Sequence, residues 1–125
     1  MIFDTDILIW ASRGNLRAAQ AIDNASDRAL SIISLMELLQ SARTRLEGRQ
    51  IQKSLRQLGF RTLPLSEPIG SAAATLIEQH AVSHGIQLAD ALIAASVLDA
   101  GDALCTGNVK HFRPIRGLSL AAFRP

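Results

Sequence analysis

Short runs of apolar residues alternate along the chain with longer stretches in which apolar and polar residues are mixed. Short apolar runs bounded by turn or capping residues are typical of buried strands, above all where β-branched side chains are frequent. The pattern predicts four strands and a last edge strand: Met1–Phe3, Ala29–Ile33, Phe60–Leu65, Ala103–Thr106 and Leu118–Leu120.

The longer stretches carry apolar residues three or four positions apart, as helices do when one face packs against a core. Several begin at a residue that can cap a helix, such as Asn15, Ser34 or Ser66. Strands that alternate with helices favour an α/β fold with a parallel sheet and right-handed crossovers. The predicted helices are Ile7–Trp10, Leu16–Ala25, Ser34–Arg43, Leu46–Leu58, Glu67–Ser83 and Gln87–Ala100.

Asp90 fits the apolar pattern of its helix poorly. At ~100° per residue it shares a face with Ile93, Ala94 and Val97, whereas Asp99 lies on the other side. A buried carboxylate without a partner costs several kcal/mol. Asp90 is therefore protonated, paired with a base, or bound to a cation, and the positions of other polar residues favour the cation.

Polar side chains follow several of the predicted strands. Asp4 ends the first strand, Glu37 lies one turn into the helix after the second, and Asn108 follows the fourth. Ligands of parallel sheets collect at the carboxyl ends of the strands, and Asp90 can reach this edge from the start of its helix. Mg²⁺ prefers oxygen ligands. The sequence thus favours a hard divalent cation that activates water and stabilises a phosphate in displacement.

The composition indicates one folded domain, residues 1–125, with 48% hydrophobic and 19% charged residues. Aromatic residues are only 4% of the chain, so we expect an aliphatic core. A single Cys excludes an internal disulfide and suits a reducing compartment. Asp4 comes too early for a secretory signal peptide, and no apolar run spans a bilayer. We therefore expect a cytoplasmic protein without a membrane partner.

Basic residues flank the candidate acids, although the net charge is only +2. Basic groups on both sides of an acidic centre suit an enzyme that acts on a nucleic-acid backbone. With few aromatic side chains for stacking, we expect recognition of nucleic-acid shape and phosphate. The basic residues are Arg43, Arg45, Arg49, Lys53, Arg56 and Arg61 in one series, and Lys110, Arg113, Arg116 and Arg124 near the end.

Four segments together resemble the PIN domain in order and spacing, and the VapC toxins of bacterial VapBC toxin–antitoxin systems are the most similar group. The segments are Ile2–Ile9, Ser34–Leu38, Leu88–Ala95 and Thr106–Phe112. The resemblance implies a three-layer α/β/α fold with a central parallel sheet of four to five strands. It also implies a Mg²⁺-dependent endoribonuclease, with Mn²⁺ as a substitute, that is silenced by a VapB-like antitoxin and forms a homodimer. The apolar N-terminal helices, with Trp10, are where we expect an antitoxin or a second copy to pack.

The resemblance also assigns roles to individual residues. Asp4, Glu37 and Asp90 match the three metal-binding acids of the family. Asn108 matches the fourth catalytic acid and is an amide, which brings no charge to a second metal ion. Two further residues, Asp6 and Thr106, are expected to support the ligands. We expect hydroxide from water, rather than the ribose 2′-OH, to attack and leave 5′-phosphate and 3′-OH ends.

Each of these residues also has a purely structural interpretation. Asp4 is a suitable helix cap, and Ser34 with Glu37 matches a capping box. The structural interpretation of Asp90 is a protonated or salt-bridged acid in the core. Asn108 follows a glycine and is a natural turn residue.

Two other functions stay open at this point. An apolar strand followed by Asp4–Asp6 is also typical of haloacid-dehalogenase-like phosphatases, in which Asp4 would be the nucleophile. That class needs an acidic pair after a later strand, where this chain has Gly107–Asn108. The third interpretation is a non-catalytic module that binds RNA or an antitoxin, with Asn108 as the mark of lost activity.

Overall fold

The computed structural model describes residues 1–125 and contains one parallel sheet of five strands in the order β3–β2–β1–β4–β5. The central strand β1 pairs with both neighbours through Ile2, which lies opposite Ala29 and Leu104. The predicted parallel sheet is therefore confirmed. The strands are β1 Ile2–Phe3, β2 Arg28–Ser31, β3 Phe60–Leu63, β4 Ala103–Thr106 and β5 Ser119–Ala122.

Helices cover both faces of this sheet. Successive strand residues point to opposite faces, so Ile2 and Leu104 pack with α5 and α6, whereas Phe3 and Leu30 pack with α1, α2 and α4. The three-layer α/β/α architecture is confirmed. None of the helices combines the length and the apolar character needed to cross a membrane. The helices are α1 Thr5–Ser12, α2 Leu16–Asn24, α3 Ile32–Ser41, α4 Arg45–Gln57, α5 Glu67–His84, α6 Leu88–Ala100 and α7 Val109–Phe112.

The boundary between β2 and α3 differs from the prediction. The strand ends at Ser31, whose hydroxyl accepts a hydrogen bond from the backbone N–H of Ile33 and caps α3. The helix therefore begins two residues before Ser34, which lies inside its first turn. The structural alternative, a capping box of Ser34 and Glu37, is therefore wrong, and Glu37 is free for other contacts.

Three further differences lie near the other strand ends. The strand β3 stops at Leu63, because its only neighbour β2 ends opposite it at Ser31 and turns into α3. The edge strand β5 begins one residue later than predicted and continues to Ala122, which pairs with Thr106. The short helix α7 was not predicted. Both β5 and α7 bring the end of the chain next to the carboxyl end of β4.

Candidate active site

Asp4 lies where β1 ends and α1 begins. Its backbone N–H donates to the Cys105 carbonyl at 2.9 Å, which extends the pairing of β1 with β4 by one residue. Its side chain is only 5% exposed. Oδ1 accepts from the Thr5 N–H at 2.8 Å, and Oδ2 accepts from the Thr106 hydroxyl at 2.8 Å. Asp4 is thus a helix cap, as its structural interpretation predicted, but one oxygen is also held toward β4.

Asp6 lies in the first turn of α1 and faces the loop after β4. Its Oδ2 accepts from the Gly107 N–H at 2.8 Å. A Cβ atom on residue 107 would lie 2.6 Å from that oxygen, so only glycine allows this approach. The other oxygen, Oδ1, is buried and has no hydrogen-bond partner. A buried carboxylate oxygen without a donor is costly, and a cation or an ordered water would relieve that cost.

Glu37 points from α3 toward the start of α1. Its Oε1 accepts from the Thr5 hydroxyl at 2.7 Å. Thr5 therefore connects two acids, since its N–H binds Asp4 and its hydroxyl binds Glu37. The hydroxyl of Ser34, one turn earlier on α3, is buried and has no partner. No sequence pattern indicated the role of Thr5, which lies 32 positions from Glu37.

Asp90 lies in the first turn of α6, and its side chain is 20% exposed. Ile93, Ala94 and Val97 are buried as predicted, but Ala95 and Ser96 on the other sides of the helix are buried as well. Its Oδ2 lies 3.3 Å from Nδ1 of His111, which belongs to the unpredicted helix α7. No sequence pattern indicated this contact between His111 and Asp90.

Thr106 and Asn108 continue the site after β4. The fully buried hydroxyl of Thr106 donates to Asp4 and accepts from the backbone N–H of Asn108 at 2.9 Å. The Asn108 side chain is exposed and makes no capping hydrogen bond. Its amide is therefore available at the rim, and the hydroxyl of Thr106 orients the Asp4 carboxylate beneath it.

The carboxylates share one electrostatic environment. The pKa of Asp4 is raised to about 6, chiefly by burial and in smaller part by the charges of Asp6 and Asp90, against the hydrogen bonds that lower it. Burial also raises the pKa of Asp6 and of Asp90, and repulsion from Glu37 contributes at Asp90. The structure thus gathers four acids from three separate stretches of the chain. Lost hydration destabilises the ionised forms of Asp4, Asp6 and Asp90, and neighbouring carboxylates add to this at Asp4 and Asp90.

The donor chemistry fits a hard divalent cation. The acids supply only oxygen ligands, and one of these oxygens is buried without a partner. In this conformation no three Asp, Glu, His or Cys side chains form a group that would hold an ion. Mg²⁺ does not need such a group, since it binds one or two carboxylates and keeps several waters. The arrangement therefore suits an ion held directly by some acids and through water by others.

Comparisons with known proteins agree with this architecture. The family model of the PIN domain matches residues 1–116, which is nearly the whole chain. No curated protein matches the sequence significantly.

Solved structures resemble the whole chain. A toxin–antitoxin complex from Klebsiella pneumoniae is 27% identical with a TM-score of 0.81, and the match covers 97% of this chain and 95% of that one. DNA-bound VapBC2 from Rickettsia felis is 20% identical with a TM-score of 0.79, covering 99% of this chain and 100% of that one. VapBC-1 from nontypeable Haemophilus influenzae is 23% identical with a TM-score of 0.76, and 98% of each chain is covered.

Proposed function

We propose a function from the premise that the chain belongs to the PIN domain family. It is a Mg²⁺-dependent endoribonuclease, with Mn²⁺ as a substitute, and the toxin component of a type II toxin–antitoxin system. The observation that carries this proposal is the gathering of four acids at one edge of the sheet. Three of them have a raised pKa from burial, and the imidazole of His111 is the only basic side chain paired with any of them.

The acids have distinct proposed roles. Asp4, Asp90 and Glu37 hold the ion, some of them through its waters, because no three of the side chains converge directly. Asp6 adds negative charge beside Asp4, and its unpartnered Oδ1 is available to a water on the ion. When bound, the ion lowers the pKa of water and offsets the charge that develops on the phosphate.

The remaining polar groups orient these acids and the substrate. Thr106 fixes the Asp4 carboxylate, and Thr5 fixes Glu37. The exposed Asn108 amide is a neutral donor for a phosphate oxygen or a water at the rim. Hydroxide attacks phosphorus, the bond to the 3′ oxygen breaks, and the products carry 5′-phosphate and 3′-OH ends.

The proposed partners are RNA, a VapB-like antitoxin and a second copy of this chain. Solved structures similar to this chain are toxin–antitoxin complexes. A groove of about 730 Å³ runs between α1, α3 and α4, and more than half of its lining residues are hydrophobic, including Leu8, Leu38 and Leu55. An amphipathic antitoxin segment suits this groove. Exposed Trp10 does not line it and is available to the second copy.

The proposal is tested by incubating the purified protein with total cellular RNA and sequencing the new 5′ ends. New ends with Mg²⁺ or Mn²⁺, and none with a chelator, are expected. Asp90→Asn should abolish them, and Asp99→Asn, an exposed acid on the same helix, should not. No metal-dependent ends, or equal cleavage by the Asp90 variant, would reject the nuclease.

The same preparation separates the two alternatives. Turnover of a small phosphomonoester with a trapped phosphate on Asp4 would support a phosphatase, which the PIN domain match does not favour. A toxic effect on growth that survives Asp90→Asn would support a non-catalytic module.

A further inference from the structure

A second cavity of about 390 Å³ lies beside the acids, at the carboxyl ends of β4 and β5. Ala122 pairs with Thr106 in the sheet, and the Phe123 N–H donates to the Thr106 carbonyl at 2.9 Å. These contacts hold the end of the chain against the loop after β4. The cavity lies between that loop, α7 and the residues after β5.

Three exposed cationic side chains line this cavity: Lys110, Arg113 and Arg124. None of them takes part in a salt bridge, and no acidic residue lines the cavity. The cavity is therefore lined by positive charge that no salt bridge neutralises. An anion that enters from solution would neutralise this charge.

The cavity shares two walls with the acid site. Gly107 lines the cavity, and its N–H binds the Asp6 carboxylate at 2.8 Å. His111 also lines the cavity, and its Nδ1 lies 3.3 Å from Asp90. A polyanion with one phosphate over the acids would therefore place a neighbouring phosphate near the cations.

We propose that this cavity, the Lys110–Arg113–Arg124 pocket, binds an RNA backbone phosphate next to the one that is cut. The inference rests on the proposed nuclease function and adds where the RNA lies. Arginine presents paired N–H donors that match phosphate oxygens, and lysine adds a point charge. The pocket thus fixes the position and direction of the strand over the acids without reading its bases.

The test measures RNA binding apart from cleavage. Asp90→Asn protein is titrated against fluorescein-labelled single-stranded RNA, and fluorescence anisotropy is recorded over a series of KCl concentrations. Adding Arg113→Gln and Arg124→Gln should weaken binding about tenfold or more. The slope of log affinity against log salt should fall by about 0.7 for each phosphate that the variant no longer binds.

The matched control is Arg13→Gln with Arg17→Gln in the same background. Both arginines are exposed, lie around the end of α1 away from Asp4 and give the same change in net charge. The control should leave the slope nearly unchanged. Equal effects of the two double substitutions would overturn the pocket.

Two further outcomes separate the pocket from the proposed function. If the Arg113/Arg124 substitutions lower the salt slope but the protein with an intact acid site cuts no RNA, the phosphate pocket is supported and the nuclease function is rejected. If RNA is cut only with metal but the Arg113/Arg124 and Arg13/Arg17 substitutions change the salt slope equally, the nuclease function is supported and the pocket is rejected. A polyglutamate peptide that binds the intact pocket more tightly than RNA would assign the pocket to an acidic protein segment and overturn the proposal.

Discussion

Replacing Asp4 with Asn should stabilise the metal-free protein at neutral pH, although it removes a carboxylate that we assign to the ion. The side chain is 5% exposed, and burial raises its pKa to about 6 from an ordinary value of 3.8. Asparagine resembles the protonated acid, since it accepts from the Thr5 N–H and still caps α1. The substitution therefore removes mainly the cost of a buried charge.

The magnitude follows from the linkage between protonation and folding. Below pH 3.8, Asp4 is protonated in both states and the cost is absent. As the pH rises to about 6, the folded protein keeps a proton that the unfolded chain has lost, and stability falls by ~1.4 kcal/mol per pH unit. Above that pH the loss is complete, at about 3 kcal/mol. The substitution also weakens the contact with Thr106, which costs ~1 kcal/mol. The expected net gain in the free energy of unfolding is therefore about 2 kcal/mol.

The assay is urea unfolding in the presence of EDTA, from about pH 4 to about pH 8, for the wild type and Asp4→Asn. The two stability curves should nearly meet at the acidic end and separate by about 2 kcal/mol at the basic end. Mg²⁺ should narrow the gap above about pH 6, because an ion that binds only the folded wild type stabilises it.

Asp99→Asn is the control, because Asp99 is exposed and makes no side-chain hydrogen bond. The difference in free energy of unfolding between Asp99→Asn and the wild type should not change with pH in the way expected for Asp4→Asn. A difference for Asp4→Asn that stays constant with pH, or a variant that is less stable than the wild type near pH 8, would refute the reasoning.

Three other substitutions test separate contacts. Thr5→Val removes the hydroxyl that binds Glu37 and should slow RNA cleavage about 10- to 100-fold with an unchanged circular dichroism spectrum; full activity would contradict this role. Gly107→Ala places a methyl group 2.6 Å from Asp6 Oδ2. It should therefore weaken Mg²⁺ binding measured by calorimetry. An unchanged Mg²⁺ affinity would show that the ion site does not need Asp6 in this position. Ser54→Trp fills the groove between α1, α3 and α4 and should abolish antitoxin capture without slowing cleavage. A tryptophan introduced on the outer face of α4, away from the groove, should neither abolish antitoxin capture nor slow cleavage.

The sequence predicted the sheet and the meeting of the acids because both depend on local patterns. Apolar runs locate the strands, and the carboxyl ends of parallel strands share one edge. Asp90 stood out because helical periodicity alone places it among buried residues. Neither conclusion needs the position of a side chain in space.

The details of the site were not predictable because they depend on contacts between distant parts of the chain. Ser31 and Ser34 are equally good caps locally, and pairing of Ser31 with Leu63 in the sheet selects the first. The hydroxyl of Thr106 contacts a carboxylate, as expected, but local patterns did not indicate its partner Asp4, which lies 102 positions away. His111 reaches Asp90 only through α7, which is too short to give a periodic signal.

The acid cluster is explained better by ion binding than by folding stability. Burial raises the pKa of Asp4, Asp6 and Asp90, repulsion from other carboxylates adds to it at Asp4 and Asp90, and an Asp6 oxygen is buried without a partner. Neutral residues of similar size would avoid these costs, and Asn would cap α1 as well as Asp4 does. Instead, the hydroxyls of Thr5 and Thr106 donate hydrogen bonds that orient the carboxylates of Glu37 and Asp4. Because a bound cation would reverse each of these costs, metal binding and folding stability should be coupled in this protein.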